Sequence, residues 1–263
     1  MAKKNISERL FERYLNSNGF KGRWKYESLI SGKSKKPDYL LDYNGQECFF
    51  EVKELRKKNN EPTKWPAFID PYTSLRTEIH DAKKQFKEFK KYSCSLVVFN
   101  VDDRQARLRP LDVLGAMLGN LGFEMDFDAT KGKAIKGTEK STFLSGGIMG
   151  RQKNTTINAV IILEKFLDNL ELEKAVGERK KKQKIKLTVA ELLEQRMELQ
   201  KHHKLRMVLR VVVIENLFAR IPLPADIFRG YFDERWQYKN NKCKRIFAGG
   251  KLKELEALKG KSV

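Results

Sequence analysis

The sequence predicts an α/β (α+β) fold: a mixed central β-sheet flanked by helices, with a basic helical insertion and a C-terminal extension. Three observations lead there. The stretch ISERLFERYLNSNGF spaces its apolar residues as a helix does. Two apolar runs, PDYLLDY and ECFFEVKEL, are joined by Asn44-Gly45, a strong short-range hairpin signal. An amphipathic stretch and then an apolar run bounded by turn residues follow. The resulting order is helix, three strands, helix, strand, and a crossover helix after a strand meander implies a mixed sheet.

Each element has its own signal. In the first helix Ile6, Leu10, Phe11, Tyr14 and Leu15 form the apolar stripe, Asn5 is the expected cap, and Gly19 ends the helix. RWKYESLI reads as the first strand, and the hairpin supplies the second and third. The polar stretch 56–72, with Pro62, Pro66 and Pro71, reads as a loop. In the second helix Leu75, Ile79, Ala82, Phe86 and Phe89 hold the apolar face. CSLVVFNVDD reads as a buried strand.

Beyond it come a short helix (PLDVLGAMLGNL), a Gly/Lys-rich loop over 131–153, and a strand (TTINAVIILE). Between Lys174 and Lys186 lie seven Lys or Arg against one acid, Glu178. That run fits a disordered insert, a phosphate-tracking arm or a solvated charge run. A helix (LTVAELLEQRMELQKHHKL), a strand (RMVLRVVVIE) and an aromatic, proline-punctuated segment that packs back on the sheet follow. The stretch from Tyr238 onward reads as a basic tail.

Composition narrows the function. The chain has 263 residues, 40% of them hydrophobic, and a formal net charge of +20. Such an excess of cations points to a polyanionic partner, usually nucleic acid. Three scattered cysteines, Cys48, Cys94 and Cys243, offer neither a metal spacing nor a disulfide framework. No apolar signal core opens the chain and no apolar run could cross a bilayer, so the expectation is a cytoplasmic or nucleoid-associated protein without a membrane partner. Neither a Lys-Ser/Thr phosphate loop nor a GxSxG elbow is present. The glycine-rich Ser145–Gly150 lacks the context of a phosphate loop and reads as a flexible loop.

The hairpin carries the chemistry. In a strand alternate residues share a face, so Phe49, Glu51 and Lys53 point one way and Cys48, Phe50 and Val52 the other. Asp38 opens the neighbouring strand and can approach Glu51. Two carboxylates held close together repel, and one tends to keep its proton. A hard divalent cation removes that conflict, and Mg²⁺ takes one or two carboxylates plus waters and phosphate oxygens. Lys53 is then placed to orient a water or to neutralise developing charge.

Pro37-Asp38 followed after twelve residues by Glu51-Val52-Lys53 resembles the signature of the PD-(D/E)XK nuclease superfamily. The resemblance implies a restriction-endonuclease-like core, metal-dependent phosphodiester hydrolysis and a Mg²⁺ cofactor for which Mn²⁺ substitutes. It implies that Asp38 and Glu51 bind the metal, that the Val52 carbonyl is a further ligand, and that Lys53 is the catalytic lysine. ERLFERYLNSNGF resembles the first helix of the junction resolvases in that superfamily, whose acid lies at the position of Glu8. Glu8 shares a helix side with Phe11 and Leu15, yet it also completes a capping-box pattern with Asn5. Many relatives carry a glutamine on the helix after the lysine strand, which here is Gln85. In that frame residues 1–168 are the nuclease-like core and 169–206 the Lys-rich insertion and helix. Residues 207–237 are a C-terminal strand and packing segment, and 238–263 the basic tail.

Lys33, Lys35 and Lys36 before Asp38, and Arg56, Lys57 and Lys58 after Lys53, are the expected phosphate contacts. Trp65 and Phe68 could stack on bases or anchor their loop. The expected substrate is DNA and the expected assembly includes a homodimer. Two alternatives stay open: a catalytically silent nucleic-acid-binding or scaffold protein on the same fold, and a nuclease directed at RNA.

Overall fold

The computed structural model describes residues 4–27, 36–55, 72–101, 108–124, 127–128, 130, 133–134, 140–183, 188–203, 205–240 and 242–260. Helix α1 (Ile6–Ser17) leads into strands β1 (Trp24–Tyr26), β2 (Tyr39–Tyr43) and β3 (Gln46–Leu55). Helix α2 (Thr73–Gln85), with a 3₁₀ turn over Phe86–Glu88, precedes β4 (Ser93–Asn100). Then come α3 (Pro110–Leu118), β5 (Gly119–Glu124), β6 (Phe127–Asp128), β7 (Lys133–Ala134), β8 (Lys140–Gly146) and β9 (Ile157–Asp168). Helices α4 (Leu170–Gln183) and α5 (Val189–His202), strands β10 (Arg206–Glu215), β11 (Glu234–Lys239) and β12 (Lys242–Ala248), and helix α6 (Gly250–Gly260) complete the chain.

Eight strands form one mixed sheet in the order β1-β2-β3-β4-β9-β10-β11-β12. The first three are an antiparallel meander; β3, β4 and β9 run parallel; β10 is antiparallel to β9 and parallel to β11. The predicted hairpin is present, and Asn44 and Gly45 both adopt positive φ (52° and 81°), as a tight primed turn requires. Cys94, Leu96 and Val98 of β4 and Phe49 of β3 pack with α2 and α3 on one face. Phe50 and Val52 pack with α1 and the Leu223–Phe228 segment on the other. The sheet is therefore the middle layer between helices, with core on both sides. Among the described residues no helix is long and apolar enough to cross a membrane.

Several expectations need correction. Ile6 is exposed; Ser7 and Glu8 take the buried places in the first turn of α1. The region expected as one loop over 131–153 holds β7 and β8, which pair with β6 and β5 ahead of it, and β5 takes over at Gly119 where the expected helix ends early at Leu118. Within it Met149 is buried, and Ile148 and Met149 donate their N–H groups to the Met117 carbonyl. A Cβ on Gly147 would stand 2.2 Å from the Leu118 carbonyl oxygen, so the glycine permits close packing rather than flexibility. The basic run is helical through Gln183, not a disordered insert; Lys174 pairs with Glu171 and Glu254, and Arg179 with Glu198. The stretch expected as a basic tail is the end of β11, then β12 and α6, because Ala248, Leu252 and Leu255 are spaced to bury among its charges.

A buried acid ties the two ends of the chain together. Asp233 accepts hydrogen bonds from the Tyr14 hydroxyl (2.5 Å), Val211 N–H (2.9 Å) and Gly230 N–H (2.6 Å). Burial pushes its carboxyl up and these donors hold it down, leaving it raised; burial and the neighbouring acid push the Tyr14 hydroxyl well above its ordinary value. Tyr14→Phe removes one donor from a buried carboxylate and is expected to cost about 1–3 kcal/mol. Urea unfolding at unchanged slope measures this; a loss near zero would mean the bond contributes nothing.

Candidate active site

The β2–β3 register pairs Tyr39 with Phe50, so Asp38, one residue ahead of β2, stands across from Glu51. Its Oδ2 accepts the Val52 N–H at 2.7 Å, and its carbonyl accepts the Glu27 N–H at 2.8 Å. The carboxylate is thus anchored by main chain at the point where β2 begins and the edge of β3 opens. Within a strand the N–H and C=O of one residue leave on the same side, so the Val52 carbonyl lies on this edge too.

Glu51 follows Phe49 on the α2 face of β3 and is only 1% exposed. Its Oε1 lies 2.7 Å from Lys53 Nζ, two residues on along the same face. Its Oε2 is buried and has no hydrogen-bond partner among the described residues. Gln85, the last residue of α2, leans its amide toward this carboxylate and helps to hold it ionised without satisfying Oε2.

The electrostatics follow from this geometry. Burial first, and then the Glu51 charge, push the Asp38 carboxyl up to about 7 against the opposing pull of Val52 N–H and Lys53. Burial also raises Glu51, opposed chiefly by Lys53. For Lys53 burial works against the ammonium, but Glu51 outweighs it, so the group is raised and stays charged at neutral pH. The cluster holds two acids and one cation in a site that disfavours two free negative charges.

Glu8 is close, but it is engaged at the helix end. It accepts the Asn5 N–H at 2.7 Å while Asn5 Oδ1 accepts the Glu8 N–H at 2.8 Å, a complete capping box. Its charge still reaches Asp38 and adds to the upward push there. Three residues not singled out from the sequence also belong to this neighbourhood. Glu54 accepts the N–H groups of Ile6 (2.9 Å) and Ser7 (3.1 Å), joining β3 to the positive end of α1. Tyr26 on β1 donates to Glu8 at 3.4 Å, and its hydroxyl is raised to about 12, by burial first and then by the Glu8 and Asp38 charges. Glu78 on α2 acts electrostatically on Lys53.

Of the expected phosphate contacts, Lys36 is described and half-buried beside Pro37. Lys33, Lys35, Arg56, Lys57 and Lys58, together with Trp65 and Phe68, lie outside the described residues.

Family models, curated proteins and solved structures give no match to this chain.

Among the described residues no three His, Cys, Asp or Glu side chains converge closely enough to cage a metal by themselves. Asp38 and Glu51 provide two carboxylates, and Glu51 Oε2 is a buried acceptor without a donor. That donor set suits a hard cation that keeps several of its own waters, and not one that demands a full protein cage.

Proposed function

We propose that the chain is a divalent-cation-dependent endonuclease that hydrolyses phosphodiester bonds in DNA, with Asp38, Glu51 and Lys53 as its reactive set. The observation that carries this reading is the buried, donorless Oε2 of Glu51 beside an Asp38 carboxyl pushed up to about 7. An unsatisfied carboxylate oxygen next to a second acid costs stability unless a cation completes it. The order α1, β1, β2, β3, α2, β4 supports the reading as well, because it is the order implied by resemblance to the PD-(D/E)XK superfamily and its restriction-endonuclease-like core. The net charge of +20 suits a polyanionic substrate.

In this reading Asp38 and Glu51 hold Mg²⁺ or Mn²⁺, with the Val52 carbonyl on the same open edge. When bound, the cation would supply Lewis-acid stabilisation of phosphate charge and a more acidic water. The Val52 N–H fixes the Asp38 carboxylate without spending both of its oxygens. Gln85 orients Glu51 from α2. Lys53, kept as an ammonium, donates to a phosphate oxygen or to the attacking water and balances charge as the phosphate becomes more negative. Glu8 and Glu54 keep the first turn of α1 against this edge.

The test is direct. Purified protein is incubated with plasmid, linear, single-stranded and branched DNA, and with RNA, in Mg²⁺, Mn²⁺ or EDTA. The expected result is cleavage of DNA with either ion and none in EDTA. Intact substrates throughout would overturn the reading, and cleavage of RNA alone would replace DNA as its substrate.

A further inference from the structure

The far end of α1 borders two contiguous grooves that the candidate active site does not use. One, of about 410 Å³, runs between α1, the start of β10 and the Gly230–Asp233 segment. The other, of about 440 Å³, continues past the α1 C-terminus toward Tyr43 and Arg229. The two share Ser17, Asn18, Gly230 and Tyr231. Tyr231 stands at the divide, 71% exposed, and presents its ring to solvent.

The walls are cationic. Arg13, Lys165, Arg206 and Lys251 line the first groove, and Arg23 and Arg229 the second. Arg13, Lys165 and Arg206 enter no ion pair among the described residues. Lys251 Nζ lies 5.4 Å from the centroid of the Tyr231 ring, which places a cation beside the exposed aromatic. The three acids on the walls are already engaged. Asp233 is held by Tyr14, Val211 and Gly230; Asp168 accepts the Leu170 N–H at the start of α4; Asp226 accepts from the Tyr43 hydroxyl. The grooves thus pair an excess of cations, six against three acids, with an exposed stacking surface, the combination that binds single strands.

We propose that these grooves form a second nucleic-acid contact, which takes an unpaired strand of the substrate and stacks one of its bases on Tyr231. The proposal rests on the polynucleotide substrate of the preceding reading and adds where the strand is held. Glu8 lies in the first turn of α1 and Ser17 and Asn18 at its end, about 15 Å away along the axis. That is roughly four nucleotides of a stacked strand. Arg9 and Arg13, one turn apart on the exposed side of α1, lie along the path between the two sites.

The experiment measures binding of the full chain to a labelled single-stranded DNA oligonucleotide and to its duplex, in EDTA so that nothing is cut, across a salt series. Tyr231→Ala is expected to weaken single-strand binding about 5- to 100-fold while leaving duplex binding within about twofold. Tyr231→Phe is expected to bind like wild type, since the ring is kept. Arg13→Ala with Arg206→Ala is expected to reduce the single-strand salt slope by about 1.4, two phosphates' worth. Lys242→Ala with Lys244→Ala removes the same charge from exposed positions on β12 and serves as the control. Single-strand binding by Tyr231→Ala within twofold of wild type, or a control pair as damaging as the arginine pair, overturns the proposal. Thermal melting checks that each variant is folded. A protein that cuts DNA but is indifferent to these changes loses only this groove. One that binds through the groove yet cuts nothing loses only the nuclease reading.

Discussion

Asp38→Asn and Glu51→Gln are each expected to lower DNA cleavage by about 10³-fold or more, with binding to DNA in EDTA unchanged or slightly tighter. Both substitutions keep shape and remove one negative charge from the site where charge is costly. The side-chain amide introduced by Asp38→Asn still offers an oxygen to the Val52 N–H, so the anchor seen at 2.7 Å survives. Asp38→Ala would instead leave that N–H unpaired and add a folding cost of about 1–3 kcal/mol, which makes the amide the cleaner probe. The size of the loss follows from the role: a cation stabilising phosphoryl charge in a water-poor site is worth several kcal/mol, and each 1.36 kcal/mol is tenfold in rate. Lys53→Ala removes a donor to the phosphate or water and is expected to cost about 10²–10³-fold. Single-turnover cleavage with excess enzyme separates these losses from binding. Activity within tenfold of wild type in Asp38→Asn or Glu51→Gln would remove these residues from the reaction.

The same charge conflict makes stability depend on pH and metal. Asp38 is raised from 3.8 to about 7, so the folded chain holds this proton more tightly than the unfolded chain does. The stability it contributes is therefore complete below about pH 4, declines as pH rises, and is gone above pH 7. Three units at 1.36 kcal/mol each give up to about 4 kcal/mol in the metal-free protein. Glu51 is raised as well and acts in the same direction. About two of those units fall between pH 5 and pH 8, so at about 2–4 °C per kcal/mol for a chain of this size wild type in EDTA is expected to melt about 5–10 °C lower at pH 8 than at pH 5. Asp38→Asn is expected to flatten most of that difference and to exceed wild type in Tm at pH 8, the usual exchange of function for stability. Mg²⁺ or Mn²⁺ is expected to raise the wild-type Tm at pH 8, to do little at pH 5, and to do nothing to Asp38→Asn. Parallel pH profiles for wild type and Asp38→Asn in EDTA would rule out the conflict.

The sequence made legible what depends on local period. The stripe of α1, the Asn44-Gly45 turn and the alternation of β3 can all be read from residues a few positions apart, and they assign Glu51 and Lys53 to one face. By the same period Glu54 falls with Phe50 and Val52 on the α1 side, so its place against the helix end is legible in the alternation. Tyr26 was not readable in this way. It joins the site because β1 pairs with β2 in a register that sets Tyr26 beside Tyr39, and the stretch between those strands carries no signal of that register. The pairing of β5 with β8 and the closing of the sheet by β12 were hidden for a similar reason. Glycine and lysine dominate those stretches, and their few apolar residues acquire a face only once distant strands supply it. The sequence marks Glu8 as both cap and candidate acid, and the structure gives it the cap while leaving it within electrostatic reach of Asp38.

The bond between Tyr14 and Asp233 spans 219 positions of the chain. Every residue of the reactive set has been synthesised by Lys53, but the partner that seats α1, and the Phe228 ring packed against Phe11 and Tyr14, come much later. At 5–20 residues per second the ribosome needs roughly 10–40 s to bridge that gap. Throughout this interval the nascent chain carries α1 without the buried acid that seats it. The seating of α1 on the sheet thus waits until Asp233 has been translated, well after the residues of the proposed site.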